Sequence, residues 1–135
     1  MAKREYSYAE LGQKLKAYAE ETDDIPALLD DFKVRGWLSD ARFTEQIVHA
    51  RKAKFGSAKV AHELREKGVA DDLVASAVET LKETELDSAR EVWRKKFKAG
   101  PQNREEWAKQ ARFLQSRGFG FDIIKRVLNG TDETI

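Results

Sequence analysis

Apolar residues recur every three or four positions along most of the chain, the spacing of one face of an α-helix. Tyr8, Leu11, Leu15 and Tyr18 form the first such stripe, and similar stripes follow one another as far as Leu128. No segment alternates apolar and polar positions for long enough to predict a β-strand. The pattern therefore predicts an all-α protein of about eight helices.

Three of the predicted helices end in the same way, with a glycine followed by an apolar residue. These ends are Phe32–Trp37, Glu63–Val69 and Phe113–Phe119, and the last two lie fifty residues apart. A glycine just past a helix adopts the left-handed conformation at little cost, and the apolar residue after it folds back onto the last turn. Recurrence at this period predicts stacked helical units that present a surface to a partner.

Polar residues mark the predicted helix starts. Ser7 and Glu10 form a capping box, in which each side chain bonds the backbone of the other residue. Pro26 suits the first turn of the second helix, and Ser39 or Asp40 caps the third.

Three later boundaries are also predicted. Phe55–Ser57 forms a break followed by a fresh cap, and Asp122 caps the last helix. The acidic residues 83–87 indicate a hinge.

The helices group into three units. Residues 1–38 hold only two helices, so the first helix of this unit is apparently missing. Residues 39–84 and 85–130 hold three helices each, and residues 131–135 form a flexible tail.

Composition limits the class of protein. The 135 residues are 41% hydrophobic, which can supply a core, yet no apolar run approaches the roughly 20 residues that cross a bilayer. The chain has no cysteine and no apolar stretch at its start, so neither a disulfide framework nor a secretory signal is predicted. We expect a cytoplasmic protein.

The net charge of +1 hides a block pattern. Residues 20–31 carry six acids and no base, and residues 69–91 carry seven acids against two bases. Residues 42–67 carry seven bases against three acids, and residues 92–126 carry ten against three. Local charge of this kind can steer a partner even when the total is close to zero.

Two groups of basic residues are therefore the candidate binding residues. The first brackets the turn at Gly56, and the second lies in the following unit. The members are Arg51, Lys52, Lys54, Lys59, Arg65 and Lys67 in the first group, and Arg94, Lys95, Lys96, Arg112 and Arg117 in the second. Such groups neutralise nucleic-acid phosphates, meet an acidic protein face, or only keep a helical surface soluble; the sequence leaves all three open.

Catalysis and cofactors have weak support. His62–Glu66 has a Glu where the zinc-protease pattern needs its second His, and His49 stands apart from it. A metal-dependent hydrolase is a remote alternative, so we expect no catalytic residue, metal or cofactor. The larger aromatic residues are expected to be mostly buried in the core: Trp37, Trp93, Trp107, Phe113 and Phe119.

Several of these segments together resemble the RecX family of regulatory proteins. The central signature is matched by Gly36–Phe43, Arg51, Phe55–Gly56, Glu63–Leu64 and Lys67–Val69, the C-terminal signature by Arg112–Leu114 and Arg117–Phe119, and the preceding repeat by Ser7–Leu15. The chain departs from the family at Trp37, where Tyr is commoner, and at Ser39, which replaces the first Asp of an acidic pair.

The resemblance implies a fold and a function. The fold is a tandem array of three-helix repeats, elongated and curved. The function is that of a monomeric, non-enzymatic regulator that lies along the groove of the RecA filament near its DNA. There it suppresses ATP hydrolysis and strand exchange, and so moderates recombinational repair and the SOS response. A stand-alone helical DNA-binding module is the alternative.

Overall fold

The computed structural model describes residues 4–21 and 23–129, and within them it contains eight α-helices and no β-strand. The all-α prediction is confirmed. The helices are α1 (Tyr8–Lys16), α2 (Ile25–Val34), α3 (Asp40–Arg51), α4 (Ser57–Glu66), α5 (Asp71–Lys82), α6 (Glu85–Lys96), α7 (Arg104–Ser116) and α8 (Phe121–Asn129). Residues 131–135, expected to form a flexible tail, lie outside the described residues.

The helices pack mainly with their neighbours in sequence. Helices α1 and α2 pack together as unit 1, α3, α4 and α5 as unit 2, and α6, α7 and α8 as unit 3. The buried residues of units 2 and 3 form two hydrophobic clusters that have no residue in common. The units are therefore arranged in series rather than around one common core.

Units 2 and 3 each have their own hydrophobic core. Leu64 of α4 and Leu114 of α7 occupy corresponding central positions, and both are 0% exposed. The apolar residue after each helix stop folds back as predicted: the Val69 N–H donates to the Leu64 carbonyl at 3.0 Å, and the Phe119 N–H donates to that of Leu114 at 3.2 Å. The intervening glycines have positive φ angles, 79° and 92°.

Unit 1 is less well covered. Helix α1 has no fully buried residue, and Leu29 is the buried residue of α2. Leu38 is buried, but Trp37 is 65% exposed, so the expectation that Trp37 packs in the core was wrong. Its ring contacts Phe32, with the ring centroids 5.6 Å apart, and the Arg35 guanidinium lies 5.2 Å from its centroid. Trp37 stays exposed because no helix within the described residues covers unit 1 as α3 and α6 cover theirs. Among the other aromatic candidates, Phe119 is buried, whereas Trp93, Trp107 and Phe113 are half-buried.

Most predicted helix starts are confirmed. The Ser7–Glu10 capping box is present, Pro26 lies in the first turn of α2, and the Ser39 side chain caps α3. Asp122 does not cap α8, because that helix already begins at Phe121.

Two predictions around the second and third units were wrong for one shared reason. Ser57 does not cap α4 but is its first helical residue, and Gly56 holds the cap position without a side-chain bond. Residues 83–87 do not form a hinge throughout, because Glu85 already begins α6 and is only 6% exposed. The Glu85 carboxylate accepts a hydrogen bond from the Ser57 N–H. It therefore takes the role of a capping side chain for α4, and the same bond holds Glu85 in place at the start of α6.

Candidate interaction surface

Units 2 and 3 meet where the turn before α4 lies against the turn after α7. We call this contact the second joint; it consists of Gly56–Lys59 and Arg117–Phe119. The Gly56 N–H donates to the Arg117 carbonyl at 2.7 Å, and the Ala58 N–H donates to the Gly118 carbonyl at 3.2 Å. A Cβ added at Gly56 would lie 2.3 Å from the Gly118 oxygen, so only glycine permits this approach.

A carboxylate closes the same joint. Glu85, the first residue of α6, accepts a 2.7 Å hydrogen bond from the Ser57 N–H and a 3.1 Å bond from the Ser57 hydroxyl. The amide is the first of α4, whose N-terminal N–H groups lack partners within the helix and favour negative charge. The buried Glu85 side chain therefore satisfies a helix end of the preceding unit.

Cations from both predicted groups meet at the second joint around two phenylalanine rings. Lys59 Nζ lies 5.1 Å from the Phe55 ring centroid, and Lys96 Nζ lies 5.6 Å from that of Phe113. The Arg117 guanidinium lies 5.0 Å from the Phe113 centroid and 5.9 Å from that of Phe55. We call Lys59, Lys96, Arg117 and the two rings the joint cluster.

The charged groups of the joint cluster are well placed to meet an outside partner. Lys59 and Lys96 are exposed, and Arg117 is half-buried. Lys59 Nζ donates to the Ser116 carbonyl at 3.3 Å, which ties it to unit 3 without neutralising its charge. Cation–ring contacts of about 0.5–1 kcal/mol at exposed sites orient the side chains and leave the charges in solvent.

Two other predicted binding residues form ion pairs with residues distant in the chain. Arg51 donates two hydrogen bonds to Glu63, at 2.9 and 3.0 Å, and this bonding raises the pKa of the Arg51 guanidinium. Lys67 Nζ lies 3.2 Å from the Glu10 carboxylate. The sequence did not reveal these two ion pairs, because the acidic partners lie 12 or more residues away in the chain.

The remaining candidates lie on exposed helix or turn surface. Arg94 pairs with Glu91 of its own helix. The others in exposed positions are Lys52, Lys54, Arg65, Lys95 and Arg112.

Units 1 and 2 meet in a similar way, at a contact that we call the first joint. The Tyr8 N–H, the first of α1, donates to Asp40 at 2.7 Å, and the Ser7 hydroxyl donates to the Lys67 carbonyl at 2.6 Å. A Cβ added at Gly68 would lie 2.5 Å from the Cβ of Ala9. The sequence signal for these joints is an acidic residue at the first position of both α3 and α6, which was interpreted only as a helix cap or a hinge.

An open cleft of about 920 Å³ lies beside the first joint, with Asp30, Lys33, Asp40, Arg42 and Asp72 among its lining residues. On its wall the Tyr8 hydroxyl donates to Asp30 at 3.0 Å, and this bond raises the pKa of the Tyr8 phenol. The charges are mixed in sign, so the cleft favours neither an anion nor a cation.

The two histidines lie on exposed helix surface. His62 Nε2 lies 3.3 Å from Glu66 one turn along α4, and His49 is exposed near the end of α3. Within residues 4–21 and 23–129, no three His, Cys, Asp or Glu side chains are grouped so that they could hold a metal ion. In the same part of the chain, no helix combines the length and apolar character needed to span a bilayer.

Comparison with known proteins identifies the family. The model of the second three-helix domain of RecX matches residues 39–78, and that of the third three-helix domain matches residues 83–128. The regulatory protein RecX of Leptothrix cholodnii is 44% identical over 132 residues, which cover 98% of this chain and 84% of that protein. That of Chromobacterium violaceum is 41% identical over 130 residues, covering 96% of this chain and 84% of that protein.

A solved structure agrees with these matches at the level of the fold. The crystal structure of RecX from Lactobacillus salivarius superposes with a TM-score of 0.80, covering 96% of this chain and 88% of that chain at 18% identity. With two domain models matched in order and relatives above 40% identity over nearly the whole chain, the protein belongs to the RecX family of regulatory proteins.

Proposed function

We propose that this protein binds the RecA recombinase filament and lowers its ATPase and strand-exchange activity, and so moderates recombinational repair and the SOS response. Membership of a family of regulatory proteins favours a protein partner over a substrate. The observation that carries the proposal is the joint cluster, in which Lys59 of unit 2 and Lys96 and Arg117 of unit 3 converge. In this proposal the cluster is the principal contact with RecA or with the DNA that RecA holds.

An extended series of units suits a partner that is itself a polymer. Each unit contributes a modest contact, and the fixed connection between units makes the later contacts intramolecular, which multiplies their effect. Basic segments alternate with acidic ones along the chain, so electrostatic complementarity can set its register on the filament.

The proposal includes an organisation for the chain. Residues 1–38, 39–84 and 85–130 are the three repeats, and the chain acts as a monomer in the cytoplasm without a cofactor or a catalytic residue. The two later repeats supply the basic contacts, because the joint cluster lies between them.

The test reverses charge at two exposed positions of the joint cluster and leaves the backbone hydrogen bonds of the joint in place. A Lys59→Glu/Lys96→Glu variant changes two exposed side chains, whereas Arg51 is left intact because its reversal would place a carboxylate beside Glu63. A Lys82→Glu/Lys109→Glu variant, also at exposed helix positions, makes the same change in net charge. Circular dichroism checks that both remain helical.

The readout is DNA-dependent ATP hydrolysis by RecA, titrated with each protein. We expect the wild-type chain and the Lys82/Lys109 control to inhibit, and the Lys59/Lys96 variant to have lost most of its inhibition. A folded Lys59/Lys96 variant that inhibits as well as the wild type would remove the joint cluster from the mechanism. A wild-type chain that leaves RecA unaffected would refute the proposed function.

One observation favours a second candidate, a DNA-binding module that acts alone. The joint cluster combines cations with the partly exposed rings of Phe55 and Phe113, and single-stranded nucleic acid binds to positive grooves with aromatic platforms. This function predicts tight binding of single-stranded DNA without RecA, with log affinity falling by about 0.7 per phosphate contact for each log unit of salt. Fluorescence anisotropy with labelled DNA over a salt series separates the two candidates.

A further inference from the structure

The two joints are built on the same plan. At each joint, the first helix of the later unit begins with an acidic residue. The carboxylate of this residue accepts a hydrogen bond from the first backbone N–H of a helix in the preceding unit. Asp40 of α3 accepts from Tyr8, and Glu85 of α6 accepts from Ser57, both at 2.7 Å. Tyr8 and Ser57 are 49 residues apart in the chain.

A second contact accompanies the carboxylate at each joint. The carbonyl of the residue before Gly68 or Gly118 accepts a hydrogen bond from the residue before Tyr8 or Ser57. At the first joint the Ser7 hydroxyl donates to the Lys67 carbonyl, and at the second joint the Gly56 N–H donates to the Arg117 carbonyl. The repetition of both contacts shows that the joints are equivalent, although their side chains differ.

We infer that Asp40 and Glu85 are equivalent positioning residues that fix the angle between successive units. Each carboxylate takes the place of solvent at the positive end of a neighbouring unit's helix. A bond between an ionised carboxylate and an N–H is stronger than one between neutral groups. The bond also has direction, so it restrains rotation of one unit against the next.

At the second joint this restraint acts on the proposed binding surface, and this part of the inference rests on the proposed function. Ser57, the partner of Glu85, lies two residues before Lys59 on α4, and Arg117 is held by Gly56 at the other side of the joint. Glu85 forms no hydrogen bond or ion pair with the three cations of the joint cluster, yet through Ser57 it holds the backbone that carries Lys59 close to that of Arg117. It therefore acts on binding through position.

A proline substitution removes the donor of this bond, and its Cδ occupies the position from which the Ser57 N–H reached Glu85. Ser57 is the first residue of α4, a position that proline favours, and Gly56 before it has an extended backbone (φ −83°, ψ 171°) that a following proline requires. Ser57→Pro removes both the N–H and the hydroxyl, whereas Ser57→Ala removes only the hydroxyl. Glu85→Gln removes the charge of the acceptor, and Glu83→Gln, at an exposed position nearby, is its control.

The primary readout is a distance within the free protein. The chain has no cysteine, so Glu79→Cys in α5 and Lys109→Cys in α7, both exposed, allow a pair of spin labels to report the separation of units 2 and 3. Pulsed electron resonance should show a broader distribution with a shifted mean for Ser57→Pro and Glu85→Gln. Ser57→Ala and Glu83→Gln should give the wild-type distribution, with helix content equal throughout.

Unchanged distributions in helical Ser57→Pro and Glu85→Gln proteins would overturn the inference. If one of these two variants fails to fold, the other decides the result, because they change opposite partners of the same hydrogen bond. Asp40→Asn repeats the test at the first joint, where the Asp40 carboxylate accepts from the Tyr8 N–H.

A second measurement connects the joint to the proposed function. If Ser57→Pro reduces the binding-competent arrangement to about one tenth of the molecules, the affinity for RecA filaments falls about tenfold, although the cations of the joint cluster are all present. An affinity equal to that of the wild type would overturn the role of the joint in binding. The distance experiment uses no partner, so its outcome and that of the RecA assay are distinguishable.

Discussion

Substitution of a joint glycine gives the sharpest test of how the units are held together. Gly118 has a φ of 92°, and a Cβ added there would lie 2.4 Å from the Cβ of Lys59. Gly36 has a similar φ of 78°, but nothing lies within 4 Å of the position of its Cβ. Both glycines therefore have a positive φ that disfavours a side chain, but only Gly118 lies in close contact with another unit.

The magnitudes follow from that difference. Placing alanine in the left-handed region costs about 1–2 kcal/mol, and this is the whole expected loss of unfolding free energy for Gly36→Ala. Gly118→Ala must also separate the two turns, which weakens the bonds from Gly56 and Ala58; at about 0.5–1.5 kcal/mol each, these raise the loss to about 2–5 kcal/mol.

Urea denaturation followed by circular dichroism measures both variants under the same conditions. With a slope of about 1–3 kcal/mol per M, an extra loss of about 2 kcal/mol lowers the midpoint of Gly118→Ala by about 1 M relative to Gly36→Ala. Equal losses in the two variants would refute the reasoning, because the close contact between units would then contribute nothing measurable. A third variant, Gly100→Ala, has neither a positive φ nor a near neighbour and should match the wild type closely.

Three further predictions concern single side chains. Arg51→Gln breaks a half-exposed ion pair with Glu63 and should cost less than about 1 kcal/mol of unfolding free energy, with the loss shrinking in high salt; a loss that salt leaves unchanged would contradict an ionic origin. The Asp30 bond raises the pKa of Tyr8 above its ordinary value of 10.0, so this contribution to stability is present below pH 10 and disappears as pH rises through the raised pKa. Ring-carbon NMR should show Tyr8 titrating at a lower pH in Asp30→Asn, and an unchanged midpoint would rule out the bond as the cause. Phe43→Ala empties a site that is 1% exposed in the core of unit 2 and should cost about 3–5 kcal/mol in thermal or urea unfolding, whereas a loss below about 1 kcal/mol would show that the site is not packed.

The sequence alone was sufficient for features that depend on bonds between residues close in the chain. The capping box of Ser7 and Glu10 spans three residues, and the fold-back of Val69 onto Leu64 spans five. Such contacts are encoded by residue type at a fixed spacing, so their sequence patterns identify them without knowledge of the rest of the fold. The helical class, the three glycine stops and most helix starts were predicted for this reason.

The joints and the proposed binding surface were decided by the tertiary structure. Glu85 stands in an acidic segment that looks solvated in sequence, and only packing brings it to Ser57, 28 residues earlier. Likewise, Arg51 and Lys59 are both basic residues near the turn at Gly56 in the sequence. In the structure, Arg51 forms an ion pair with Glu63, whereas Lys59 belongs to the joint cluster beside Arg117. Charge and hydrogen-bonding capacity are properties of each residue, but whether a partner is available depends on which distant segments meet. Sequence therefore determined the helices and the abundance of positive charge, and the packing of the units selected the charges that remain free to bind.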